Sequence, residues 1–80
     1  MKRMNIGETK EKILYSLEAQ PSHGYKLSKT LDVPLSTIYG HLKEFRQRNL
    51  IAPIDEENER KIIYQLTDKG KRVLQVIKEY

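Results

Sequence analysis

From Leu31 to Ile51 the chain alternates between what a core wants and what a surface contact wants, at the period of a helix. Ile38, Leu42 and Phe45 recur at i, i+4 and i+7, the spacing of a buried stripe. Ser36, Thr37, Gly40 and Lys43 fall off that stripe and are small, hydroxylated or cationic. Asp32-Val-Pro34 ahead of them is a turn, and Pro34 suits the first position of a helix, where no amide donor is needed. The spacing therefore predicts a helix from Pro34 to about Arg48, ended by a left-handed Asn49. A helix that buries one side and shows small polar groups on the other has the shape to lie in a DNA major groove.

The neighbouring segments supply what such a helix must pack against. Ile13, Leu14 and Leu17 predict an inward face for a helix over 8–19, stopped by Gln20-Pro-Ser-His-Gly24. A short helix over 25–31 buries Leu27 and Leu31. Ile51 to Asp55 and Arg60 to Leu66 read as two strands of a hairpin, the second with Ile62, Tyr64 and Leu66 alternating with Lys61, Ile63 and Gln65. Pro53 fits only an edge or a bulge. Glu56-Glu-Asn-Glu59 is the turn between the strands. Thr67 then caps a last helix, with Asp68 in its first turn and Val73, Leu74 and Ile77 on its buried side. Helix, helix, helix, hairpin, helix is the order of a winged helix-turn-helix. The expected fold class is thus mainly α with a β-hairpin (α+β), in one domain over residues 1–80.

Composition narrows the function classes. Apolar residues are 38% and charged residues 32% of the 80, with a net charge of +4. A basic balance favours a polyanionic partner only weakly, since many small Lys-rich domains are basic for solubility alone. Its distribution says more: residues 1–31 hold six Lys/Arg against three Glu, whereas Asp55, Glu56, Glu57 and Glu59 make the hairpin acidic. There is no cysteine, so disulfides and thiolate metal sites are excluded. No apolar run approaches the roughly 18 residues of a membrane span, and Met1-Lys-Arg-Met-Asn lacks the apolar stretch of a signal peptide. The expectation is a soluble cytoplasmic protein with no membrane partner. His23 and His41 have no acidic cluster at ligand spacing, so neither a metal nor another cofactor is indicated. Nor is there a Ser/His/Asp constellation, a phosphate-binding glycine loop or a carboxylate pair, and an enzyme is not expected.

The chain resembles the PadR-like transcriptional regulators, within the broader winged-helix group that includes the MarR and ArsR types. The resemblance rests on Ile13-Leu-Tyr-Ser-Leu17, His23-Gly-Tyr25, Leu35-Ser-Thr-Ile-Tyr39 with Leu42, Asn49-Leu-Ile51, and Tyr64-Gln-Leu-Thr-Asp-Lys-Gly70. It implies a small prokaryotic repressor, usually dimeric, whose helix at 34–48 enters the major groove. Two departures stand out. Gly40 occupies a position where the family often has proline, and the sequence ends at Tyr80 where many relatives continue into a dimerisation segment.

The candidate DNA contacts are Leu35, Ser36, Thr37, Tyr39, Gly40, His41 and Lys43 on the reading helix, Lys26 and Lys29 on the helix before it, and Arg60 and Lys61 at the wing. Short hydroxyls bond base edges or phosphates, and Lys43 suits phosphate or guanine. The competing reading makes Ser36 and Thr37 first-turn capping residues and the lysines plain solvated charges. Gly40 costs a helix interior on the order of 1 kcal/mol relative to Ala. Close approach of a DNA backbone or of the preceding helix would offset it, and the sequence leaves both open. At the wing, the acids would be repelled by the phosphates that Arg60 and Lys61 attract, so the base should contribute more than the tip. Met4, Ile6, Val76 and Tyr80 lie beside the buried stripes and are candidates for an apolar seam in a homodimer; scattered surface residues are the alternative. A small-molecule effector is left unknown. Two other function classes remain open: a winged helix used as a protein-interaction module, and a non-specific nucleic-acid coating protein.

Overall fold

The computed structural model describes residues 7–55 and 61–79. Its elements run α1 (Glu8–Ala19), β1 (Ser22–His23), α2 (Gly24–Leu31), α3 (Leu35–Gln47), β2 (Ile51–Asp55), β3 (Ile63–Leu66) and α4 (Asp68–Glu79). This is the α+β winged-helix architecture that the element order implies. Met4, Ile6, Glu56, Glu57, Glu59, Arg60 and Tyr80 lie outside the described residues.

One core serves all the helices and the sheet. Ile13, Leu14 and Leu17 of α1, Leu27 of α2, Ile38, Leu42 and Phe45 of α3, and Leu74 and Ile77 of α4 are buried together with Leu50, Ile51, Tyr64 and Leu66. Burying a side chain of this kind is worth about 1.5–3 kcal/mol. Leu31 and Val73 are only partly buried at the margin. Glu11 is the exception on α1, a buried carboxylate that the sequence spacing does not anticipate.

The expected two-stranded hairpin is a three-stranded sheet. β3 is central, pairing antiparallel with β2 on one side and with β1 on the other. β1 occupies the segment read as a stop between helices, with Ser22 opposite Tyr64 and His23 opposite Ile63. Two residues carry no periodicity, so only the distant partner defines them as a strand. Pro53 sits on edge strand β2, and the ladder shifts register between Pro53 and Asp55, so both positions allowed to that proline are used. The second strand is shorter than expected: Lys61 lies in a helical turn and Ile62 is irregular ahead of β3.

Backbone signals close the elements. His23 caps α2, its Nδ1 accepting from the Lys26 amide at 3.1 Å. Asp32 ends α2 in the left-handed region (φ 56°), and the Val33 amide reaches back to the Ser28 carbonyl. The Ser28 hydroxyl also donates to the Val33 carbonyl at 2.6 Å, which locks the turn. Helix α3 ends in the same way at Asn49 (φ 61°), where Leu50 N donates to Phe45 O and Asn49 N to Arg46 O. That is a complete Schellman pair. Thr67 caps α4 by accepting from Gly70 N and ties it to the end of α3 by donating to Asn49 O at 2.6 Å. Pro34 is the N-cap of α3 and not its first helical residue, its carbonyl accepting from Thr37 and Ile38.

Candidate nucleic-acid interface

Helix α3 is held by its core side, and this fixes what its other side offers. Ile38, Leu42 and Phe45 are at most 2% exposed. At 3.6 residues per turn, the residues opposite them are Ser36, Gly40, Lys43 and Gln47, and all four are exposed. Among the described residues neither Ser36 nor Thr37 spends its hydroxyl on a hydrogen bond, and no side chain caps the helix start. Among the described residues, nothing beyond the adjoining turns of α3 itself lies within 4 Å of a Cβ added at Gly40. Packing of α3 on α2 therefore does not require that glycine. Gln47 continues the Ser36, Gly40, Lys43 spacing by one more turn and was not among the sequence candidates, although the spacing alone reaches it.

The two flanks of α3 differ. On one, Thr37 is exposed and stands in line with Glu44 seven residues on. Lys10 of α1 reaches both Glu44 oxygens at 3.0 Å, and Arg48 approaches the same carboxylate at 3.4 Å. The Lys10 hydrogen bond, helped by the charges of Lys10, Arg48 and His41, holds the Glu44 carboxyl below its usual pKa. The acid nearest the outward stripe is thereby neutralised from behind. Half-buried His41 belongs to this flank.

On the other flank Tyr39 is 44% exposed, with its ring against the start of α2. A Cβ on Gly24 would come within 2.6 Å of that ring, so Gly24 is small to seat Tyr39. Leu35, half-buried, lies seven residues before Leu42 at the core margin. Arg46 follows Tyr39 by two turns, with its guanidinium carbon 5.9 Å from the centre of the Tyr64 ring on β3.

Around α3, Lys26 and Lys29 are exposed on α2, with Lys29 Nζ 5.4 Å from the Tyr25 ring centre. Lys61 is exposed ahead of β3. Val76 is 39% exposed on α4, and its three companions in the expected seam fall outside the described residues. Among the described residues no group of three His, Cys, Asp or Glu is placed to hold a metal ion. None of the described helices is long and apolar enough to cross a membrane.

A helix pair joined by a locked turn, followed by a sheet-borne wing and a closing helix, defines a winged helix-turn-helix domain. Solved structures share the arrangement. The transcriptional regulator BldR from Sulfolobus solfataricus superposes with a TM-score of 0.82 at 26% identity, over 95% of this chain and 55% of that one. The adhesin competence repressor AdcR from Streptococcus pyogenes gives 0.80 at 21% identity, over 94% and 57%. The PcaV transcriptional regulator from Streptomyces coelicolor gives 0.79 at 23%, over 90% and 52%. This chain thus spans a little over half the length of each. The Transcriptional regulator PadR-like family model matches residues 13–76, and the chain belongs to that family, one of regulators and not of enzymes. No curated protein matches its sequence.

Proposed function

We propose that this chain binds double-stranded DNA in a sequence-specific manner and represses transcription by occluding a promoter, with α3 seated in the major groove. The observation that carries the reading is the outward stripe of α3. Ser36, Gly40, Lys43 and Gln47 form an exposed, acid-free face directly opposite a fully buried one. Lys43 is suited to guanine or phosphate and Gln47 to adenine. Gly40 leaves room for a close approach that no other element among the described residues uses. Thr37 and Tyr39 border this face, Lys26, Lys29 and Lys61 supply charge around it, and Arg60 would extend that charge along the wing. The working unit is a homodimer in the cytoplasm, because two reading helices on half-sites about 34 Å apart multiply both affinity and selectivity. Val76 is the described residue we place in its seam.

Selection from a pool of random duplexes, followed by titration across a salt series, tests this reading. The expected result is enrichment of a roughly palindromic sequence, with log affinity falling by about 0.9 per log unit of salt for each phosphate neutralised. Binding without enrichment would leave only a non-specific coating protein. No binding would leave a protein-interaction module.

A further inference from the structure

Tyr39, Leu42, Lys43, Arg46 and Gln47 face Tyr64 of β3 across an open trough of about 380 Å³. The α3 residues recur at i, i+3, i+4, i+7 and i+8, so they form one continuous stripe, which shares Lys43 and Gln47 with the base-facing one. Leu42 is the buried floor and Tyr64, on the central strand, is the far wall. Two cations, Lys43 and Arg46, line the trough, and no acid does among the described residues. Tyr39 and Tyr64 hydroxyls and the Gln47 amide add neutral donors. The Tyr64 ring gives the Arg46 guanidinium a face to rest on, which orders a planar donor before any ligand arrives.

We infer that this trough is a phosphate subsite, in which Arg46 grips one backbone phosphodiester of the DNA duplex that α3 reads, while Lys43 and Gln47 at its rim are shared with the base-facing stripe. The inference rests on the regulator reading above and adds a residue-level anchor to it. The physical reason is one of fit. A helix with its side chains is about 10–12 Å across and the major groove about 12 Å wide, so a seated helix turns its flanks to the two phosphate walls. The α1-side flank carries Glu44, already bound by Lys10 and Arg48. On the β3-side flank the charged residues that line the trough, among those described, are Lys43 and Arg46, and the sheet stands behind them. Phosphate contacts of this sort set register and orientation without reading sequence.

The test compares the wild-type chain with Arg46→Ala and Arg46→Lys on the selected duplex and on a random one, across a salt series. For Arg46→Ala the slope of log affinity against log salt should fall by about 0.9, the loss of one phosphate. That corresponds to roughly eightfold weaker binding at 0.1 M salt, equal on both duplexes. Arg46→Lys should keep the slope. Ethylation of one backbone phosphate should weaken wild-type binding by a similar factor and leave Arg46→Ala indifferent. Circular dichroism and thermal midpoints establish that the variants are folded; should Arg46→Ala not fold, Arg46→Gln takes its place in the same comparison. An unchanged slope, or a loss confined to the selected duplex, overturns the subsite while the regulator reading stands. A wild-type chain that binds neither duplex overturns both.

Discussion

At position 40 the chain forgoes about 1 kcal/mol of helix propensity relative to alanine, and among the described residues nothing beyond the adjoining turns of α3 comes within 4 Å of the missing Cβ. Gly24 and Gly70 are a contrast. A side chain at Gly24 would push Tyr39 off the start of α2, and one at Gly70 would collide with the Leu50 carbonyl where α4 abuts the end of α3. Gly40→Ala is therefore expected to raise stability by roughly 0.5–1 kcal/mol, a few degrees in thermal midpoint for a domain of this size, while weakening DNA binding. Gly70→Ala should destabilise by at least about 1–3 kcal/mol, the usual cost of overpacking, because a backbone oxygen cannot rotate aside. Thermal melts of both variants check the opposite signs. A Gly40→Ala chain that is more stable yet binds DNA as before would show that position 40 faces open solvent in the complex. These roles divide by how far each can be read in the sequence. The propensity cost at Gly40 is local and visible. Which atoms surround Gly24 and Gly70 is tertiary, and the sequence carries no sign of it.

At the scale of elements, α3 is positioned by its core stripe, by the Schellman closure at Asn49 and by the clamp from α1 through Lys10 and Glu44. The clamp has a definite pH signature. The folded-state pKa of Glu44 lies below its unfolded value, chiefly through the Lys10 hydrogen bond. Its contribution is therefore fully present above the unfolded carboxylate pKa of about 4.3 and is lost as pH falls through the folded value. Lys10→Met should lower the thermal midpoint near pH 7 and converge with wild type as the acid limb is descended. A gap that stays constant with pH would mean that Lys10 acts through its alkyl chain, not its charge. The helices were legible because each has a 3.6-residue stripe, and α1 and β2 keep their expected bounds. β1 was not legible, since two residues show no pattern and its partner Tyr64 is remote in the chain. The second strand is shorter than its sequence pattern, because Lys61 and Ile62 continue an alternation that the backbone does not follow. The trough between α3 and β3 was hidden for a similar reason: Arg46 looks solvated until Tyr64 is placed beside it.

Over the whole molecule, the sheet and α4 complete a core that three helices cannot close alone, and among the described residues one face of α3 stays exposed. Around that face the division of labour is spatial. Bases would meet Ser36, Thr37, Gly40, Lys43 and Gln47, and a phosphate would meet Arg46 in the trough. The lysines of α2 and the wing base would add charge without selectivity. The exposure of Ser36 and Thr37 is legible from the sequence, because small polar residues off an apolar stripe need no knowledge of neighbours. The measurement that bears most directly on this account is the ratio of affinities for the selected and a random duplex, taken for wild type and for the double substitution Ser36→Ala plus Thr37→Ala. The account predicts that the ratio collapses by one to two orders of magnitude, about 1–3 kcal/mol of base discrimination, while random-duplex affinity and its salt slope are unchanged. A double variant that keeps the full ratio would contradict the assignment of sequence reading to the start of α3.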